Sequence, residues 1–327
     1  MRTLFRTFQW SGIAVVLVLT AVLRLAGVLS DPLPAGAPAL GPAGALLPDA
    51  SDPWAWALGV VAVTALGFYA AYSLQYYRLG SAGTWTGFTG ACIASGSALW
   101  LGTDATLVST LCLAVAAHRL FEGYRYQGAA VPVFDCGLFI GLAWLITPAY
   151  LWFALWAALA LGQLRKFRLA DLLNLLLGVL ALPAIAAMYS FVWGDLGAFR
   201  QNLFSGIAGG PLLPGFRESG MAELLAFGLL AACTAWLLLG FGAVTARRPI
   251  QEQRAFRMYY TMLGIGWLAL LLSGPFEAWS MALVIYPTIL LSGVYISELP
   301  RKWIDYAAFG LLGVSIGLQL LTLLVPA

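Results

Sequence analysis

Long apolar runs alternate with short polar or basic breaks from one end of this chain to the other. A helix needs ~20 apolar residues to cross ~30 Å of hydrocarbon. Eleven stretches approach that length, at about 11–29, 54–76, 85–102, 106–121, 131–147, 149–164, 172–193, 221–244, 258–274, 279–297 and 303–325. The ~10-residue alternating segments of a membrane β-barrel are absent. The pattern predicts an all-α polytopic membrane protein, folded as a single integral membrane domain over residues 1–327. Val131–Asp171 shows the rule on a small scale. Asp135 stands at the mouth of an apolar run, Thr147-Pro148 breaks it near the middle, and Arg165, Lys166 and Arg168 close it. A residue before proline is pushed out of the helical region. The stretch therefore reads as two crossings joined by a tight turn, entering and leaving on the same charged side.

Composition agrees with the pattern. The chain is 61% hydrophobic and 9% charged, with a mean hydropathy of +0.88, where soluble domains carry about 25% charged residues. The N-terminal Met1–Trp10 resembles the basic start of a signal peptide, but the apolar run Ser11–Leu29 is long for a signal core and no small-x-small site follows. It is read as a retained first span. No basic tail or patch points to nucleic acid. Cys92, Cys112, Cys136 and Cys233 fall inside apolar segments without paired spacing, which fits buried packing residues rather than disulfides. One histidine excludes a multi-histidine metal site, and no cofactor is expected.

Charge distribution sets the expected orientation. With the N-terminus in the cytoplasm, fourteen of the 17 Lys and Arg residues fall on the cytoplasmic side, and only Arg24, Arg200 and Arg217 on the other. Cytoplasmic loops carry such an excess, and a wrongly merged or split span would scramble it. The C-terminus is then outside. The largest inner loop, Ala246–Arg257, reads as a topogenic cluster that also meets anionic lipid.

Only two outer loops exceed a turn. The first, Ser30–Pro53, is rich in proline and glycine, which exclude a long helix, and carries Asp31, Asp49 and Asp52. The second, Gly194–Gly220, carries Arg200 and Arg217 beside Asp195 and Glu218. Its Leu203-Phe204 and Pro211–Pro214 elements fit a short interfacial helix and turn. Arg24, near the outer end of the first span, breaks the charge rule. Snorkelling to the surface explains it; the alternative is an anion site shared with Arg200 and Arg217. Arginine forks suit phosphate, and Asp31, Asp49 or Asp52 would accept a proton from an attacking hydroxyl.

Other polar residues have structural readings. Asp135 reads either as a proton or cation relay or, preferably, as a first-turn acid facing the positive helix end and paired with Arg119 or Arg125. His118 and Arg119 suit a helix C-terminus. Asp171, Asn174 and Glu223 suit helix starts. Glycines at Gly83-xxx-Gly87, Gly264-x-Gly266 and Gly310-xx-Gly313-xxx-Gly317 permit close helix approach, within the chain or against a membrane-protein partner. Trp residues near predicted span ends, including Trp54, Trp85, Trp193 and Trp303, form an interfacial belt among membrane lipids.

His118-Arg119-Leu120-Phe121, Phe134-Asp135-x-Gly137-x-x-x-Gly141, Pro148, Lys166-Phe167-Arg168, Gly178 and Pro183 together resemble an uncharacterised family of bacterial inner-membrane proteins. That family carries over no catalytic residues. A looser resemblance, through Arg24 followed by Asp31-Pro32, is to C-type membrane glycosyltransferases. It implies a polyprenyl-phosphate-linked sugar as substrate and a catalytic acid in the first outer loop. The family's acidic pair followed by an aromatic is missing here, since Asp49 and Asp52 are separated within a proline-rich setting. Three functions follow as expectations: a glycosyltransferase-like enzyme at the outer leaflet, a non-catalytic scaffold or accessory subunit of a cell-envelope complex, and, last for want of an internal repeat, a transporter.

Overall fold

The computed structural model describes residues 10–29, 41–43, 53–77, 85–96, 104–125, 130–164, 168–194, 196–204, 207, 221–245, 248–272, 278–299 and 301–324. Among them are twelve α-helices and no strand. They are α1 (Trp10–Leu29), α2 (Pro53–Tyr76), α3 (Trp85–Gly96), α4 (Asp104–Arg125), α5 (Ala130–Ile146), α6 (Trp152–Leu164), α7 (Leu169–Trp193), α8 (Leu196–Phe204), α9 (Met221–Thr245), α10 (Ile250–Leu272), α11 (Ala282–Glu298) and α12 (Arg301–Leu324). Short 3-10 turns, Pro148–Leu151 and Ala278–Met281, lead into α6 and α11.

Each stretch predicted as a span contains one of these helices, and α8 lies where the interfacial helix was expected. The stretch 85–102 is described as helix only over Trp85–Gly96. Among the described residues four segments, Trp56–Tyr76, Ala105–Gly123, Leu169–Trp193 and Ile250–Leu272, are long and apolar enough to cross a membrane. Ala14–Arg24, Ala130–Ile146, Pro148–Leu164, Phe227–Gly240 and Ala282–Glu298 are apolar but shorter.

Apolarity alone does not separate a buried helix from a lipid-facing one, since both lack a polar face. Packing does. In α11 every residue from Ala282 to Ile296 is buried, and the helix touches α2, α3, α4, α9, α10 and α12. It is the core of the bundle. By contrast α7 leaves Leu177, Ile185, Met188, Phe191 and Trp193 more than 60% exposed. In water a surface of that kind would aggregate; in hydrocarbon it is the expected outer wall.

The closest helix pair is α5 with α7. Gly137 and Gly141 of α5 face Gly178 and Val179 of α7, and a Cβ added at Gly178 would stand 3.0 Å from the Gly137 Cα. Added at Gly137, it would overlap the Leu175 carbonyl oxygen. With lipid tails as apolar as Leu, helices in a membrane associate through such close contact rather than through water exclusion. The glycines singled out for packing in the sequence behave differently. Gly87 does pack against α2 at Gly67 and Phe68, and Gly266 packs against Leu283, while Gly83 lies outside the described residues. Gly264, Gly310, Gly313 and Gly317 have no heavy atom near where a Cβ would point.

Polar groups fix the remaining crossings. The Trp156 indole donates to the Met258 carbonyl at 3.0 Å, tying α6 to α10. Tyr260 and Tyr295 both donate to the Leu237 carbonyl, at 2.9 and 2.8 Å, tying α9 to α10 and α11. Arg248 pairs with Glu252 at 2.9 Å and also with Glu298, closing the start of α10 onto the end of α11. Arg254 caps the last turn of α6 by donating to the Leu164 carbonyl at 3.1 Å. Cys92, Cys112, Cys136 and Cys233 are free thiols, the first three buried and Cys233 half-buried.

Candidate functional site

The bundle has two chemically distinct ends. At one, α5 stops where Pro148 forces it to. Thr147 takes extended backbone (φ −136°, ψ 109°), as the residue before proline must. The last carbonyls of α5 are thereby released from helical bonding. Residues 41–43, between α1 and α2, occupy them: Gly41 N–H donates to the Ile146 carbonyl at 2.8 Å and Ala43 N–H to the Leu145 carbonyl at 3.0 Å. Pro42 between them has no N–H to leave unpaired. Gly41 is needed for space, because a Cβ there would overlap the Leu145 oxygen.

The segment between α7 and α9 reaches the same place. Trp144, one turn before the break, donates from its indole to the Leu203 carbonyl of α8 at 3.0 Å, and its ring meets Phe204 edge-on at 5.9 Å between centroids. Phe199 and Leu203 form the buried face of α8, one turn apart, while Arg200 is exposed. Beneath the break a polar network holds the turn against α4. Ser109 bonds Thr147 at 3.0 Å, Thr110 bonds the Tyr150 hydroxyl at 2.6 Å, and Tyr150 donates to the Thr106 carbonyl at 3.2 Å. Described parts of the α1–α2 and α7–α9 connections therefore meet on Trp144–Thr147.

The sequence-predicted site residues divide accordingly. Asp31, Asp49, Asp52 and Arg217 lie outside the described residues, as does the Pro211–Pro214 element. Arg24 is half-buried late in α1, whose main neighbours are α2, α3 and α12. Arg200 is exposed on α8, which packs on α7 and the Pro148–Leu151 turn. The described geometry thus puts Arg200 beside the loop junction, and Arg24 in a different part of the bundle.

The opposite end carries the charges. Arg119 pairs with Glu122 at 3.0 Å and with Asp135 of α5 at 3.9 Å, so the expected partner of Asp135 is Arg119. Asp135 lies in the second turn of α5, which begins at Ala130. Asp171 lies in the first turn of α7, but Arg168 holds the capping position and its side chain makes no cap bond. The sequence reading assigned a cap to Asp171; the register shifts it inward. His118 sits among Tyr69, Tyr72 and Tyr76 of α2 and Tyr77 just past its end, with ring centroids at 5.4, 5.5, 5.6 and 5.1 Å respectively. The Tyr77 hydroxyl donates to the His118 carbonyl at 3.0 Å. This cluster was missed in the sequence. Its signal was the helical spacing of Tyr69, Tyr72 and Tyr76 along one face of α2.

No protein-family model, curated protein or solved structure matches the chain.

Proposed function

We propose that this chain is a bacterial inner-membrane protein of eleven crossings, with its N-terminus in the cytoplasm and its C-terminus outside, and that its outward face handles a polyprenyl-phosphate-linked substrate. The anchoring of both outer loops on Trp144–Thr147 is the observation that carries this reading. Two loops tethered to one helix end make a fixed surface at the headgroup level, where the phosphate of a long-chain lipid donor resides. On the positive-inside rule that end faces outward, since Arg119, Arg248 and Arg254 belong to the other.

The chemistry is transfer of a sugar. A hydroxyl of the acceptor attacks the sugar C1, the C1–O bond to phosphate breaks, and the polyprenyl phosphate leaves with the bonding electrons. Asp31 or Asp49, with Asp52 nearby in sequence, takes the hydroxyl proton. Arg200 at the junction, with Arg217 of the same loop, carries the phosphate charge as it develops, and Arg24, which lies in another part of the bundle, is left out of the phosphate site. Single Asp→Asn substitutions at positions 31, 49 and 52, assayed for transfer from a polyprenyl-phosphate sugar, are expected to abolish turnover at one of them. Wild-type activity in all three would sink the proposal.

The exposed face Gly310, Gly313 and Gly317 of α12, open where each Cβ would point, favours a second reading: a scaffold or accessory subunit of a cell-envelope complex, docked on a partner helix. Gentle solubilisation would then retain a stoichiometric membrane partner, and a lone monomer would count against it.

A further inference from the structure

The basic residues at the start of α10 outnumber the acids that could pair with them. Arg248 is taken by Glu252 and Glu298. Arg254 spends one N–H on the Leu164 carbonyl at 3.1 Å, and Arg257 is exposed. Neither Arg254 nor Arg257 has a carboxylate partner among the described residues. Positive charge is therefore left over at this end of the bundle.

From Arg257 an exposed strip runs along α10. Arg257, Gly264, Leu268 and Leu271 are exposed and Thr261 is half-buried. Their spacing of three or four residues puts them on one helix face. On α6, Leu155, Leu159 and Gly162 are exposed in the same rhythm. The two strips adjoin. The Gln163 amide donates to the Thr261 hydroxyl at 2.8 Å, which donates in turn to the Arg257 carbonyl. Gln163 and Thr261 are both only half-buried, so this bond marks a seam between α6 and α10 that opens outward. Nothing stands within 4 Å of a Cβ added at Gly162 or Gly264. Beside them Leu155, Leu159 and Leu268 stand out, which leaves the glycine positions recessed. From Arg257 to Leu268 is about 16 Å of helix, roughly the depth of one leaflet of a ~30 Å hydrocarbon core.

We propose that this surface binds one anionic phospholipid. Its phosphate meets the guanidinium groups of Arg257 and Arg254, and one acyl chain lies along the seam over Gly162 and Gly264. Guanidinium forks suit phosphate, and basic groups at headgroup level attract anionic lipid. The glycine recess gives a chain close contact that a ridge of larger side chains would deny it. On the orientation proposed above the site belongs to the cytoplasmic leaflet. It requires only an anionic headgroup at the charged end, so it does not depend on the glycosyl-transfer reading.

Native mass spectrometry of the full chain in detergent, with equimolar phosphatidylglycerol and phosphatidylcholine added, tests the site. The wild type is expected to retain one phosphatidylglycerol in preference to phosphatidylcholine. Arg257→Ala should weaken that binding about fivefold. Gly264→Leu removes no charge and meets no obstacle, yet should weaken it several-fold by filling the recess. Gly228→Leu, equally unobstructed but on α9, should bind as the wild type does. Equal retention of the two lipids would overturn the site, as would phosphatidylglycerol binding left unchanged by either Arg257→Ala or Gly264→Leu. Weakening by Gly228→Leu to the same extent would also overturn it, and so would a protein dimer that Gly264→Leu abolishes, since a second copy would then occupy the seam.

Discussion

A Gly137→Leu protein is expected to lose the α5–α7 interface and to be recovered from the membrane as unfolded or aggregated material. The reason is the wall it would meet. At Gly137 the first side-chain carbon overlaps the Leu175 carbonyl oxygen, with the Val179 nitrogen at 2.9 Å and the Gly178 Cα at 3.1 Å. Overpacking a core against movable side chains costs about 1–3 kcal/mol, and here the obstacle is backbone on both sides, so the helices must separate. Separation also strips the dispersion contacts that hold them, which lipid does not replace with interlocking shape. Gly178→Ala should act in the same direction through the Phe134 carbonyl. Gly162→Ala and Gly264→Ala are the controls, since nothing stands within 4 Å of either added Cβ. Both should be neutral or slightly stabilising, because Ala in a helix gains about 0.5–1 kcal/mol over Gly. Thermal melting in detergent, followed by size-exclusion profile, separates the four.

Gly41→Ala is expected to release the α1–α2 loop while leaving the bundle folded. Its Cβ overlaps the Leu145 oxygen, so residues 41–43 must lift and both backbone bonds to α5 are lost. Each bond contributes about 0.5–1.5 kcal/mol, enough to hold a loop in place but a small part of what holds the helices together. The expected signature is faster protease cleavage within residues 30–53 with little change in melting temperature. If the loop surface is the seat of transfer, activity falls with it. Unchanged proteolysis would mean that the loop is not held through Gly41.

Much of this architecture is legible in the sequence because membrane helices announce themselves by length and apolarity. The Thr147-Pro148 break, the short helix at Leu203-Phe204 and a basic partner for Asp135 were all readable, the first from proline sterics and the last from charge in an apolar setting, though the choice between Arg119 and Arg125 was not. The neighbours of each helix were not. In lipid a buried face and an exposed face carry the same residues, so nothing in the composition of α11 and α7 ranks one as core and the other as wall. Glycine spacing has the same blindness. Gly310-xx-Gly313-xxx-Gly317 looks like a packing face and points into open space, whereas Gly137, Gly141 and Gly178 make the tightest crossing, and the two halves of that contact stand on different helices. In the proline-rich loop before α2 the residue types suggested a role for Asp31, Asp49 and Asp52, but no periodicity fixed their geometry.

The orientation of the two ends decides whether the loop junction is an outward surface at all. In a variant with all four native cysteines replaced, single cysteines at Ala43, Arg200, Arg168 and Gln251 can be treated with a membrane-impermeant maleimide in intact cells. Labelling at 43 and 200, with 168 and 251 protected until the membrane is permeabilised, is the predicted result. Labelling of 168 or 251 in intact cells, with 43 and 200 protected, would place the loop junction in the cytoplasm and contradict the account.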